Sequence, residues 1–158
     1  MNSSLSLQRV LETQIPLSKQ MGIRVRACSS KSIRFALPLK PNRNHRKTGF
    51  GGTLIAAQAL ASWSLLMQIL ASNKMSSEVV LQREHSEFHR PVTADFIVQT
   101  RTLRPSEVGR FLRTLRAHKR ARIEVTAQVI CNRKVACEFS GQYVAIVTPP
   151  KLHKTRHL

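Results

Sequence analysis

Hydrophobic and polar positions along this chain change period several times, and each change marks an element. Leu7, Val10, Leu11 and Ile15 recur at helical spacing as far as Pro16, so a short amphipathic helix is predicted to open the fold. A period of two then takes over. Ile23, Val25 and Ala27 point one way and Arg24 and Arg26 the other, and Ile33, Phe35 and Leu37 repeat the alternation up to Pro38, which predicts two strands. After a polar loop, the stretch from about Gly51 to Leu70 is apolar on most faces, carrying Leu54, Ile55, Leu60, Trp63, Leu65, Leu66, Met67, Ile69 and Leu70. A helix that is apolar nearly all round has to be buried. Each large side chain it buries contributes roughly 1.5–3 kcal/mol, so this helix is expected to be the core.

A polar turn covers residues 72–77. Residues 78–88 then read as extended, and after Pro91 residues 95–102 read as another strand. Val108, Phe111, Leu112 and Leu115 follow Pro105 at helical spacing and predict a compact helix with Arg110, Arg113 and Arg116 on its outer side. The last third alternates most clearly. Ile123, Val125, Ala127 and Val129 are interleaved with Glu124, Thr126 and Gln128, a turn falls at Asn132-Arg133, and Val135, Cys137, Phe139, Gly141, Tyr143, Ala145 and Val147 alternate again. Gly141 is expected to mark a bulge or bend. Pro149-Pro150 stops the strand and leaves residues 149–158 as a basic tail, expected to be disordered. Residues 1–148 contain no repeat or linker and read as a single domain. Its class is α+β, and one curved antiparallel sheet wrapped around the long helix, the hotdog arrangement, buries such a helix most economically.

Charge adds a partner question. The chain has 26 Lys and Arg against 8 Asp and Glu, a net charge of +18, which raises the local concentration of any acidic partner. Aromatic residues make up only 5% of the chain, so base-stacking platforms are poorly supplied. A nucleic-acid-binding module is therefore the rival reading, and it requires affinity for unrelated sequences that falls steeply with salt. The densest basic run is Arg110, Arg113, Arg116, Lys119, Arg120 and Arg122. It is either a solvated face or, through Arg113, Arg116, Lys119 and Arg120, a docking face for an acidic carrier protein or for phosphate groups.

Cys28, Cys131 and Cys137 lack CxxC spacing and sit in strand patterns, so they are read as core residues of a protein in a reducing cytoplasm. Residues 1–20 contain no apolar run of the signal-peptide kind. The charge-free stretch 48–73 is long enough to cross a bilayer. Its three glycines, Gln58, Gln68 and several serines fit a sheet-enclosed helix better, and no membrane span is expected. His85 and His89, four apart on a strand, are separated by roughly 13 Å, too far to share a metal. Neither a metal nor a cofactor is expected.

Candidate chemistry concentrates between Asn42 and Leu54, where a polar loop with Asn42, Asn44, His45 and Thr48 leads through Phe50-Gly51-Gly52 into the long helix. The first N–H groups of a helix lack intrahelical acceptors, and glycines let a ligand approach them. Asn42 and Asn44 can add amide donors for a carbonyl oxygen or serve only as turn formers. Gly51 and Gly52 fit oxyanion binding and close packing alike, and Gln58 fits either a substrate contact or an interior hydrogen bond. No acidic residue occurs between Glu12 and Glu78.

The segment from Asn42 to Leu54, followed by Ala61-Ser62-Trp63, resembles the signature of the YiiD C-terminal domain family, a group assigned thioesterase activity on a hotdog fold. Phe88-His89-Arg90-Pro91-Val92-Thr93-Ala94-Asp95 is similar to the aromatic-x-x-Pro-Val-x-x-Asp segment common on the strand after the hotdog helix. The resemblance implies work on acyl thioesters of acyl carrier protein or coenzyme A, or, as the alternative, a non-catalytic acyl-binding module, in a homodimer or dimer of dimers with the site at the subunit interface. Some members are described as malonyl-acyl-carrier-protein decarboxylases in which a motif asparagine is implicated. By its distance before the glycine pair Asn44 matches best, Asn42 second. Other relatives carry an N-terminal acetyltransferase domain, which is not expected here with only about forty residues before the motif.

Two departures bear on chemistry. Phe50 stands where hotdog thioesterases usually have His, and Thr53, Gln58, Ala59 and Ser62 occupy the part of the helix that often bears a carboxylate. Hydrolysis needs a base as well as oxyanion donors. It would have to come from His45, Glu84, Glu87, Asp95 or a second subunit. Decarboxylation of a malonyl thioester needs mainly enolate stabilisation. The expected catalytic residues are thus Asn44, Asn42 and Gly52, with His45, Thr48, Phe50, Gly51, Gln58 and Arg90 binding substrate.

Overall fold

The structure, a computed structural model, describes residues 3–148; the expected tail at 149–158 lies outside the described residues. Helices α1 (Ser3–Gln14) and α2 (Pro16–Gln20) precede strands β1 (Arg24–Cys28) and β2 (Ile33–Leu37). Helix α3 (Gly51–Ser72) follows a single 3-10 turn at Lys40–Asn42, and then come β3 (Ser77–Phe88), β4 (Phe96–Thr100), α4 (Pro105–His118), β5 (Arg120–Cys131) and β6 (Lys134–Val147). Pro16 does end the first helix, and it also opens the second. A proline at the first helical position loses no hydrogen bond, because that N–H would be unpaired anyway.

All six strands form one antiparallel sheet in the order β1-β2-β4-β5-β6-β3. Asn132 and Arg133, at φ 50° and 62°, close the β5–β6 hairpin as a two-residue turn whose left-handed residues match the strand twist. The sheet curls around α3, which touches β2 through β6. Leu65 and Leu66 are fully buried and Leu54, Ile69 and Leu70 nearly so. This is the hotdog arrangement that the pattern predicts. Its long apolar helix meets the length and hydropathy of a membrane span, yet it is the core helix here, mostly buried against the sheet.

Two expectations about strands are corrected. Ala27 does not face the core with Ile23 and Val25. A register shift between Val25 and Ala27 leaves Arg26 as the extra residue, so Ala27 is exposed and Cys28, opposite Ile33, turns inward. Gly141 is not a bulge either, because it pairs in register with Val125 and Glu84. Its role is space: a Cβ there would lie 2.7 Å from the Phe139 ring and 2.8 Å from the Tyr143 ring. The shift falls instead on β3, between Leu81 and Arg83. That one extra residue reverses which side chains of the strand's second half face α3.

The two edges of the sheet differ. At β1 the Gln8 amide of α1 donates to the Ile23 carbonyl at 2.9 Å and accepts from the Val25 N–H at 2.8 Å, which covers the edge. β3 is twelve residues long and mostly exposed, with Val80 and Phe88 each at 52%.

Candidate active site at the start of the core helix

The two sequence segments singled out above meet in space. Residues 43–49 form a tight excursion closed by a bridge between Arg43 and Gly49, with Lys47 at φ 62° at its tip. Its base is pinned three ways: the Phe50 N–H donates to the Asn42 carbonyl at 2.7 Å, the Gly49 N–H to the Val92 carbonyl at 2.8 Å, and the Leu39 N–H to Asp95 Oδ1 at 2.8 Å. Val92 is buried against Gly49, where a Cβ would approach it to 2.9 Å. The Pro-Val-x-x-Asp segment therefore acts as a clamp on the loop. Asp95, engaged with the Leu39 backbone, is part of that clamp.

The asparagines have different work. Asn42 is buried, and its amide nitrogen donates to the Met21 carbonyl at 2.8 Å and to the Pro38 carbonyl at 2.7 Å. Both amide hydrogens are committed to backbone, which leaves none for a bound molecule. Asn44 is half-buried. Its Oδ1 accepts from the Arg46 N–H at 2.9 Å and the Thr48 N–H at 3.2 Å, the turn-forming arrangement, while Nδ2 faces Thr48 Oγ1 at 3.1 Å. One of its amide hydrogens has only the Gly49 carbonyl, at 3.5 Å, too long for a good bond.

Helix α3 begins with no side-chain cap and no acidic residue in its first turn. Leu54 supplies the first N–H that reaches a carbonyl, that of Phe50 at 3.1 Å. The N–H groups of Gly51, Gly52 and Thr53 precede it, at the positive end of the helix dipole. Phe50 folds over Gly52, where a Cβ would lie 2.6 Å from its ring, and Phe88 from β3 lies against Gly51 at 3.4 Å by the same measure. Both rings are about half exposed. The helix start is thus an uncapped set of amides between two aromatic walls. An uncharged anion or carbonyl oxygen site of this kind can polarise a thioester.

Seven residues into the helix, fully buried Gln58 donates from Nε2 to the Leu54 carbonyl at 3.1 Å and to Cys137 Sγ at 3.3 Å, and its Oε1 has no partner. Burial pushes the Cys137 thiol up, the Gln58 contact works against this, and the nearby Glu84 and Glu138 carboxylates add to the rise. A thiol held protonated and enclosed is a core group. Tyr143, pushed up mainly by burial, donates to the Ala59 carbonyl at 2.8 Å and locks α3 against β6.

Asn44 and Thr48 are therefore joined within the loop, Phe50, Gly51 and Gly52 lie at the start of α3, and Gln58 follows further along the helix. His45 stands exposed in the loop, and Arg90 is exposed two residues past β3 with its N–H on the Ala136 carbonyl at 3.3 Å. Arg113, Arg116, Lys119 and Arg120 are exposed on α4 and the start of β5. Phe88 was not among the expected site residues. Its signal was its place as the aromatic in the second motif, but its contact with Gly51 depends on the β3 register shift. No cluster of three or more His, Cys, Asp or Glu side chains placed for a metal occurs among the described residues.

Solved structures share this fold. A protein of unknown function from Chlorobaculum tepidum superposes with a TM-score of 0.87 at 21% identity, covering 92% of this chain and 95% of that one. A structure from Shewanella oneidensis, described as a putative thioesterase, has a TM-score of 0.76 at 23% identity, with 90% and 96% covered. One from Pseudomonas aeruginosa, described as a probable thioesterase, has a TM-score of 0.79 at 18% identity, with 90% and 94% covered. Residues 4–147 match the family described as "Putative thioesterase (yiiD_Cterm)". With nearly the whole described chain matched and both motifs assembled at the start of α3, this protein belongs to the YiiD C-terminal thioesterase family.

Proposed function

We propose that this protein acts on acyl thioesters of acyl carrier protein or coenzyme A in the cytoplasm, holding the thioester oxygen between the Gly52 N–H and the Asn44 amide. The single observation that carries this reading is the uncapped, charge-free start of α3 set between Phe50 and Phe88. On a malonyl thioester the site needs no base. Carbon dioxide leaves, and the enolate that forms on the thioester oxygen meets neutral donors, for which one well-placed group contributes roughly 2.7–4 kcal/mol. The absence of any charged residue on α3 favours decarboxylation as the reaction. Thr48 positions Asn44, while His45 and Arg90 provide cationic or polar contacts for the malonyl carboxylate or the carrier arm. Phe50, Gly51 and Gln58 shape the acyl path. Incubating the protein with malonyl and saturated acyl thioesters of both carriers, with carbon dioxide and free thiol measured separately, tests the reading. Loss of neither from any substrate overturns it.

The reading includes a homodimer or a dimer of dimers. Phe50 and Phe88 leave the site open on one side, the β3 edge is unpaired, and Ile55, Ala56, Ala59, Leu60, Trp63 and Met67 form a half-exposed apolar stripe on α3. A second copy would cover these surfaces. Light scattering at micromolar concentration is expected to give at least twice the chain mass of 17.9 kDa; a strictly monomeric species counts against a shared site.

For Arg113, Arg116, Lys119 and Arg120, attraction of an acidic carrier is the proposed role. Reversing their charges is expected to raise KM for the carrier-borne substrate at low salt with little change in kcat, because long-range attraction acts on encounter. Equal KM values in variant and wild type at low salt would make this run a solvated face.

A further inference from the structure

Hydrolysis at the same site lacks a base on α3, and β3 carries carboxylates. Before its register shift, β3 points Val79 and Leu81 toward the helix; regular alternation would continue with Arg83, His85 and Glu87. The extra residue between Leu81 and Arg83 sends Glu84, Ser86 and Phe88 inward instead, opposite Gly141, Phe139 and Cys137. Phe88 is the ring against Gly51. Ser86, half-buried and next on that face, donates its hydroxyl hydrogen to Glu84 Oε2 at 2.6 Å. A second observation lies on the helix side: the buried Oε1 of Gln58 has no partner, while Gln58 itself is bonded to Cys137, the thiol that feels the Glu84 charge. A buried carbonyl oxygen without a donor is a place for an ordered water.

We propose that Glu84, acting through Ser86, is the general base of a thioester-hydrolysing activity at the α3 site, in addition to the decarboxylation proposed above. This rests on the thioester oxygen being held at the start of α3. Water oxygen forms the new bond to the thioester carbon while its proton passes to the Ser86 oxygen and the Ser86 proton passes to Glu84. Collapse of the tetrahedral intermediate breaks the carbon–sulfur bond, and the leaving thiolate takes the proton back by the same relay. Ser86 is a positioning and relay group; Glu84 is the proton acceptor. The titratable surroundings are few. α3 contributes no ionisable side chain, β6 contributes Cys137 and Tyr143 on this face, and Arg83, His85 and Glu87 point to the opposite face of β3.

The test measures thiol release from a saturated acyl thioester of coenzyme A, which has no carboxylate to lose. Glu84→Gln is expected to lower that rate by about 10²–10⁴-fold, the usual contribution of a general base. Ser86→Ala breaks the relay and is expected to lower the rate comparably. Glu84 is exposed on an edge strand, so the glutamine variant is expected to keep the wild-type circular dichroism spectrum and mass. Thiol release by wild type that persists in Glu84→Gln overturns the role of Glu84 alone. Carbon dioxide release by wild type from a malonyl thioester, with no thiol release from the saturated one, overturns the hydrolytic activity and leaves the oxyanion site standing. Absence of both products overturns the two together.

Discussion

Asn42→Ala is expected to destabilise the protein strongly and to show its effect in unfolding rather than in turnover per folded molecule. The amide bridges two backbone carbonyls, those of Met21 and Pro38, that come from different ends of the β1–β2 region. Removing it strands one buried and one part-buried acceptor, at about 1–3 kcal/mol for the buried one. Total stabilities of such domains are only about 5–15 kcal/mol. The carbonyl of the same residue receives Phe50, so the slack reaches the start of α3. Asn42→Asp is expected to be worse than alanine, since a carboxylate would place acceptors against acceptors. Urea unfolding of the three proteins checks this: a midpoint unchanged in Asn42→Ala would show that the bridge contributes little and would return Asn42 to the list of groups free to act on substrate.

The contrast between Asn42 and Asn44 shows what a sequence of this kind can and cannot reveal. Periodicity finds the elements because burial dictates it: the all-apolar run of α3, the alternation of β5, and the helical spacing on α4 survive into the structure, while the alternation of β6 is broken at its start, where the extra residue Ala136 parts Val135 from Cys137. The loop and its glycines are legible as a place where donors collect, since helix starts have unpaired N–H groups whatever surrounds them. What is illegible is anything decided by a partner strand. Ala27 and the second half of β3 change face because of single extra residues, and no local pattern announces where a ladder slips. Glu84 could therefore be named from the sequence only as one of several acids, and Phe88 only as a motif letter. Nor does sequence separate the two asparagines by burial, because the carbonyls that claim Asn42 lie twenty-one and four residues away.

Asn44→Asp is the substitution that isolates the proposed donor. Alanine at this position is expected to reduce kcat by about 10²–10³, as loss of one oxyanion donor does elsewhere. It also removes the acceptor that folds the loop onto the Arg46 and Thr48 N–H groups, so its effect mixes two causes. Aspartate keeps those acceptor bonds and loses only the amide hydrogens. A loss of about 10²–10³ or more in carbon dioxide release, with the loop and the unfolding midpoint preserved, is the result expected if Asn44 holds the forming enolate, because the carboxylate also repels that negative charge. Hydrolysis would respond differently if Glu84 were not its base: a new carboxylate beside the thioester could then keep or raise thiol release. Measuring the two products side by side in wild type, Asn44→Ala and Asn44→Asp therefore separates donor loss from loop damage and decarboxylation from hydrolysis. Unchanged carbon dioxide release in Asn44→Asp would leave the thioester oxygen to the Gly51, Gly52 and Thr53 amides and reduce Asn44 to the residue that shapes their loop.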